Sequence, residues 1–234
     1  MKTAFSFNAL MIALSTVASM AAAPQALADD RSRIGASYEI TITNLTRGQQ
    51  FTPILAASHM PSVRLFELGK PASSELATLA EEGNVAPLTA ALHANNGVLE
   101  VVNGEGLTQP GATTTLTVNG RGGTGAARIS VAAMLIPTND TFFAVNGVTL
   151  PRPGETLAFT VPAYDSGTEV NDELCASIPG PFFAECNGSG GGAAPSGGEG
   201  YVHISAGMHG IGDFKPSNRD WRNPVARITI RRVR

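Results

Sequence analysis

Cysteine, tryptophan and charge are scarce in this chain: 234 residues hold 2 Cys, 1 Trp and 15% Asp, Glu, Lys and Arg. Each shortage removes a class of function. Cys175 and Cys186 are too far apart in sequence for the Cys-x-x-Cys of a thiol oxidoreductase. Positive charge clusters only in Arg227–Arg234, where Arg alternates with Ile228 and Ile230 as on a solvated strand, so there is no nucleic-acid footprint. Ser205 stands in His-Ile-Ser-Ala-Gly, not in a G-x-S-x-G nucleophile elbow. The NGRGGTG stretch around Gly120 lacks the Gly-Lys-Ser/Thr ending of a phosphate loop. Beyond the N-terminus no apolar run is long enough to cross a bilayer, and no fixed-period repeat is present.

What is present begins with an address. Met1-Lys2 gives a positive start, Ala4 to Ala23 an apolar run, and Ala26-Leu27-Ala28 a small-x-small cleavage pattern. Residues 1–28 therefore read as a secretory signal peptide and residues 37–234 as one exported domain, secreted or periplasmic, with no membrane span after signal removal. Export permits a disulfide, and the even count favours Cys175–Cys186 closing the ASIPGPFFAE loop.

The domain is patterned for strands. In SYEITIT, Tyr38, Ile40 and Ile42 alternate with Glu39, Thr41 and Thr43, which predicts a half-buried strand. Further strands are expected at 98–102, 112–118, 128–136, 141–145, 155–161, 201–206 and 224–233. Three Asn-Gly pairs, at Asn103, Asn119 and Asn146, follow strand-like runs as turn signals. Ser73 or Ser74, Glu75 and the stop at Gly83-Asn84 predict one short helix, and Pro87 opens a second. The Gly-rich stretch from Gly188 to Gly198 is expected to be a mobile loop. About eight strands with a short helical insertion give an all-β fold, an antiparallel β-sandwich.

Candidate chemistry sits in loops. Asp140 ends MLIPTND. Asp165 and Glu169 lie in AYDSGTE, where Gly167 lets the chain turn back. Three carboxylates at one rim repel unless a cation neutralises them, and a hard cation such as calcium takes oxygen ligands of this kind. Asn139, Thr168, Asn171 and Asp172 could add oxygens. His203, His209 and Asp213 offer a different set, suited to a metal-dependent hydrolase, but without tight spacing. His59 and His93 fall in unrelated segments. Trp221, in SNRDWRNP, is expected to anchor the last loop on the sandwich. Asn44-Leu-Thr46, Asn139-Asp-Thr141 and Asn187-Gly-Ser189 match the glycosylation triplet.

ARISVAAMLIPTNDTFFAVNG, AYDSGTEVNDE and GYVHISAGMHGIGD with RDWRNPVARITI together resemble the spondin domain family, above all its bacterial secreted members. The resemblance implies a C2-like β-sandwich with calcium held by acidic loop residues at one end, and a role in adhesion or extracellular binding without catalysis. It implies Asp140, Asp165 and Glu169 as the metal set. Here Thr141 stands where the animal pattern has Trp, Glu169 where it has Asp, and the family's cysteines between the two loops are missing. An extracellular or periplasmic protein or polysaccharide is the implied partner, and no nucleic acid. A structural domain without metal is the alternative reading.

Overall fold

The computed structural model describes residues 35–120, 127–180, 183–187, 190–192, 194 and 197–233. The expected signal segment, residues 1–28, lies outside the described residues. Among those described, no helix is long and apolar enough to cross a membrane.

Strand β1 (Ala36–Asn44) buries Tyr38, Ile40 and Ile42 on one face, as its alternation requires. It pairs on one side with β5 (Thr113–Gly120) and on the other with β11 (Ala226–Arg232), which contributes Ile228 and Ile230. β8 (Thr156–Val161) completes a four-stranded antiparallel sheet, in the order β5-β1-β11-β8. Burying each of these isoleucines contributes about 1.5–3 kcal/mol, so Ile40→Ala at the centre would remove about 2–5 kcal/mol.

The second sheet runs β10-β9-β7-β6-β3-β4, with β2 also on β6. Its members are β2 (Gln50–Phe51), β3 (Leu55–His59), β4 (Val98–Asn103), β6 (Arg128–Ile136), β7 (Thr141–Thr149), β9 (Ala163–Asp165) and β10 (His203–Ile204). Strand β6 reads as a continuous apolar run because both its faces are covered. Ile129, Val131, Ala133 and Leu135 join the core between the sheets. Ala132 joins a second core with Leu55, Ala57, Phe142 and Ala144. That second core is roofed by helices α1 (Ser74–Glu82) and α2 (Ala86–His93) through Leu76, Leu79, Ala80, Leu88 and Leu92. Helix α1 is capped as read: the Ser73 hydroxyl accepts the Leu76 N–H at 3.2 Å, and Gly83 closes in the left-handed region. A four-residue α3 (Pro216–Arg219) precedes the last strand.

The structure is thus a β-sandwich with an inserted helical pair, but of eleven described strands rather than about eight. The additions are β2, β3 and β9. β3 reads LAASH and is buried on both faces, so it carries no alternation to detect. The Asn-Gly pairs also divide. Asn103 is the last residue of β4 and Gly104 leaves it, whereas Asn119-Gly120 stays paired with β1 inside β5. Asn146-Gly147 forms a bulge within β7: Ile129 faces Val148 and Ser130 faces Asn146, leaving Gly147 (φ 85°) unpaired. The reason is tertiary. The Asn146 side chain accepts the Leu65 N–H at 2.9 Å and donates to the Phe66 carbonyl at 2.7 Å.

Cys175 and Cys186 form the expected disulfide, the latter within a 3-10 turn over Ala184–Cys186. The expected mobile loop falls partly outside the described residues, but three of its described residues are hydrogen-bonded. Gly191 donates to Ile178, Gly192 to Ala176, and Ala194 to Glu169, although residues 188, 189, 193, 195 and 196 lie outside the described set. Trp221 packs in the main core with Met208 and Phe214, anchoring the last loop.

Candidate metal centre at the loop rim

Strand pairing carries the carboxylate loops to one place. β7 and β9 are antiparallel neighbours with Thr141 opposite Asp165, so Asp140, just before β7, adjoins the residue that ends β9. The Ser166 N–H then bonds the Asp140 carbonyl at 3.2 Å. β10 pairs on the other side of β9, with His203 opposite Asp165. Gly167 (φ 69°) makes the sharp return; a Cβ there would lie 2.3 Å from the Tyr201 carbonyl oxygen.

Asp140, Asp165 and Glu169 are all at least 98% buried. Asp140 Oδ2 accepts from the Ser166 hydroxyl and the Thr168 N–H, both at 2.9 Å, and from the Glu169 N–H at 3.2 Å. Its Oδ1 has no partner among the described residues. Glu169 Oε1 accepts the Ala194 N–H at 2.7 Å, and its Oε2 has no partner among the described residues. Asp165 is held by the Gly167 N–H at 2.8 Å and the Asn171 amide at 2.9 Å. Burial first, then the Asp140 charge, push the Asp165 pKa up to about 6. Burial is also the main cause that pushes Glu169 up to about 7, with Glu81, Asp140 and Asp172 adding repulsion. Among the described residues no Lys or Arg forms an ion pair with any of the three.

His203 and Glu199 reach the same rim. His203 Nε2 lies 3.5 Å from Asp165 Oδ1 and 3.3 Å from Glu199 Oε2. Asp165, Glu199 and His203 offer ligand atoms within 4.8 Å of one another, a group that could coordinate a metal ion; of the expected set it contains Asp165 but neither Asp140 nor Glu169. His203 Nδ1 lies 3.0 Å from the Ile204 carbonyl. That oxygen only accepts, so Nδ1 carries a proton and Nε2 is left facing two carboxylates. Burial lowers the His203 pKa, but the Ile204 carbonyl, Asp165 and Glu199 together outweigh it and raise the value.

The other candidates are placed elsewhere or otherwise engaged. The Asn171 amide and the Thr168 hydroxyl line the rim as donors to Asp165 and Asp140. Asn139 and Asp172 bond each other at 3.0 Å and shape the loop. His203, His209 and Asp213 do not converge: His209 Nδ1 lies 4.0 Å from Glu173, and Asp213 accepts the Cys175 N–H at 2.8 Å. His59 is buried against Ser130 and the Met60 carbonyl, and His93 is exposed on α2. Asn44 and Asn139 are buried, so two of the three glycosylation triplets are closed to modification. Glu199 and Ser166 escaped the sequence reading. Ser166 had a local signal, lying between two candidates. Glu199 had none, since only the β9–β10 pairing brings it in.

The Spondin_N family model matches residues 42–172. The chain belongs to the Spondin_N family. No curated protein matches it. The Spondin_N match includes Asp140, Asp165 and Glu169 and ends before Glu199 and His203, so the two halves of the rim differ in their relation to the family.

Proposed function

We propose that Asp140, Asp165 and Glu169 hold a calcium ion and that the protein is an exported, non-catalytic binding module in which the ion fixes one rim of the sandwich. One observation carries this reading: two buried carboxylates, Asp140 and Glu169, each keep an oxygen without a partner among the described residues. Such a group costs about 1–3 kcal/mol, more when charged, unless something else satisfies it. A cation does so and also relieves the mutual repulsion of the three acids. The oxygen-only donor set suits a hard ion, for which backbone carbonyls and water supply the remaining ligands. The C2-like character and the adhesive role belong to the same reading, with an extracellular or periplasmic protein or polysaccharide as partner.

The test is calorimetric titration of chelator-stripped protein with calcium. Heat of binding and a higher melting temperature are expected, and Asp140→Asn should abolish both. Identical melting in calcium and in chelator would sink the proposal. A second reading concerns the His203 side. A metal-bound histidine commonly donates its other N–H to a carbonyl, as His203 does to Ile204. The Asp165–Glu199–His203 group therefore suits a borderline ion such as zinc. Under that reading His203→Ala removes zinc binding and leaves calcium binding intact.

A further inference from the structure

An open cleft of about 550 Å³ lies on the helix-covered side of the second sheet, lined by Arg64, Phe66, Glu67, Leu68, Asn146 and Tyr164. Its volume is in the range of small-molecule sites, roughly 300–1,000 Å³. We propose that this cleft binds a pyranose unit of a saccharide.

Its aromatic wall is built and fixed. The Phe66 ring packs edge-on against Phe142 at 5.4 Å and tilted against Tyr164 at 4.9 Å. Its backbone is pinned by the Asn146 amide, and the following residues are tied to Val202 through Gly69 and Lys70. The chain therefore pre-orders an aromatic surface that stays half-exposed. Around it stand polar groups that the fold does not use. Arg64 and Glu67 are exposed and form no ion pair with any described residue, and the Tyr164 ring, partly exposed, brings its hydroxyl to the same cleft. Rings for the C–H face of a sugar, and planar charged groups of both signs for its hydroxyls, are the chemistry that recognises a pyranose. An apolar ligand would make no use of Arg64 and Glu67, and a simple anion would meet Glu67.

This inference deepens the reading of the chain as a binding module but does not depend on the ion. Whole exported protein would be screened on immobilised glycans, then titrated with the best neutral and uronic trisaccharides and with a zwitterionic tripeptide. Binding of either trisaccharide is expected, weakened roughly tenfold by Arg64→Gln and by Tyr164→Phe. Both variants should keep the wild-type melting temperature and calcium titration, so that failure here is separable from failure of the metal site. Binding of the tripeptide alone, no glycan bound at millimolar concentration, or saccharide binding unchanged by both substitutions would each overturn the proposal.

Discussion

Glu169 and Glu173 lie four residues apart, are both buried, and do opposite things. Glu173, in the left-handed region (φ 56°), points its carboxylate at the 209–211 turn. Its Oε1 accepts the His209 N–H, and its Oε2 accepts those of Gly210 and Ile211 at 2.6 and 3.0 Å. Both oxygens are satisfied, and the group acts as a staple between two loops. Glu169 has one oxygen on Ala194 and the other on no described residue, beside Asp140 in the same condition. Burial of a carboxylate therefore says little about ligand binding. What separates a structural acid from a candidate ligand is whether the protein completes its hydrogen bonds.

The contrast can be tested from its strong end. Glu173→Gln places an NH2 against backbone N–H donors and should cost about 3 kcal/mol in urea unfolding. That loss should be equal with and without calcium; a calcium-dependent loss would place Glu173 in the metal set instead.

The ion should act only on the other region. At one hundred times its Kd, calcium should add about 2.7 kcal/mol to stability. Scanning calorimetry should show that increment intact in Glu173→Gln and gone in Asp140→Asn.

Without metal, the incomplete region should respond to pH. The folded-state values of Glu169, about 7, and Asp165, about 6, exceed those of the unfolded chain. The folded state therefore takes up protons first, and stability rises as pH falls through these values, reaching its full gain below the ordinary carboxylate range. His203, also raised, acts in the same direction. His59 opposes them: burial lowers its value, so below its ordinary 6.5 the unfolded chain binds a proton that the fold resists. The clean window is pH 8 to about 6.5. There the melting temperature in chelator should climb on acidification, and less so in Glu169→Gln. A flat wild-type profile would contradict the assignment.

The smallest effect is expected from Ser166→Ala. It removes one donor from Asp140 Oδ2 and leaves the Thr168 and Glu169 N–H groups in place. A loss of about 1 kcal/mol with only a modest weakening of calcium binding would rank Ser166 as a positioning residue.

Much of this was legible in the chain. The alternation in β1 declared a sheet with one wet face, and Ser73 with Gly83 marked both ends of α1. Asp140 and Asp165 stood out because each ends an apolar run. Other features were not legible for specific reasons. β3 is buried on both faces, so its small residues show no period. Asn146-Gly147 reads as a turn until Leu65 and Phe66 come to the Asn146 side chain and convert it to a bulge. Glu173 carried no signal in the chain, because its partners are backbone N–H groups 36 to 38 positions away.

By itself, then, the sequence determined the strand patterns, the capped helix, the pairing of its only two cysteines, and which acids were worth watching. These are local consequences of side-chain period, backbone preference and count. Tertiary structure decided which of those acids are complete. Hydrogen-bond satisfaction depends on partners that strand pairing and loop packing bring in from distant positions, such as Ala194 to Glu169 and Gly210 to Glu173. No local pattern encodes which oxygen is left over.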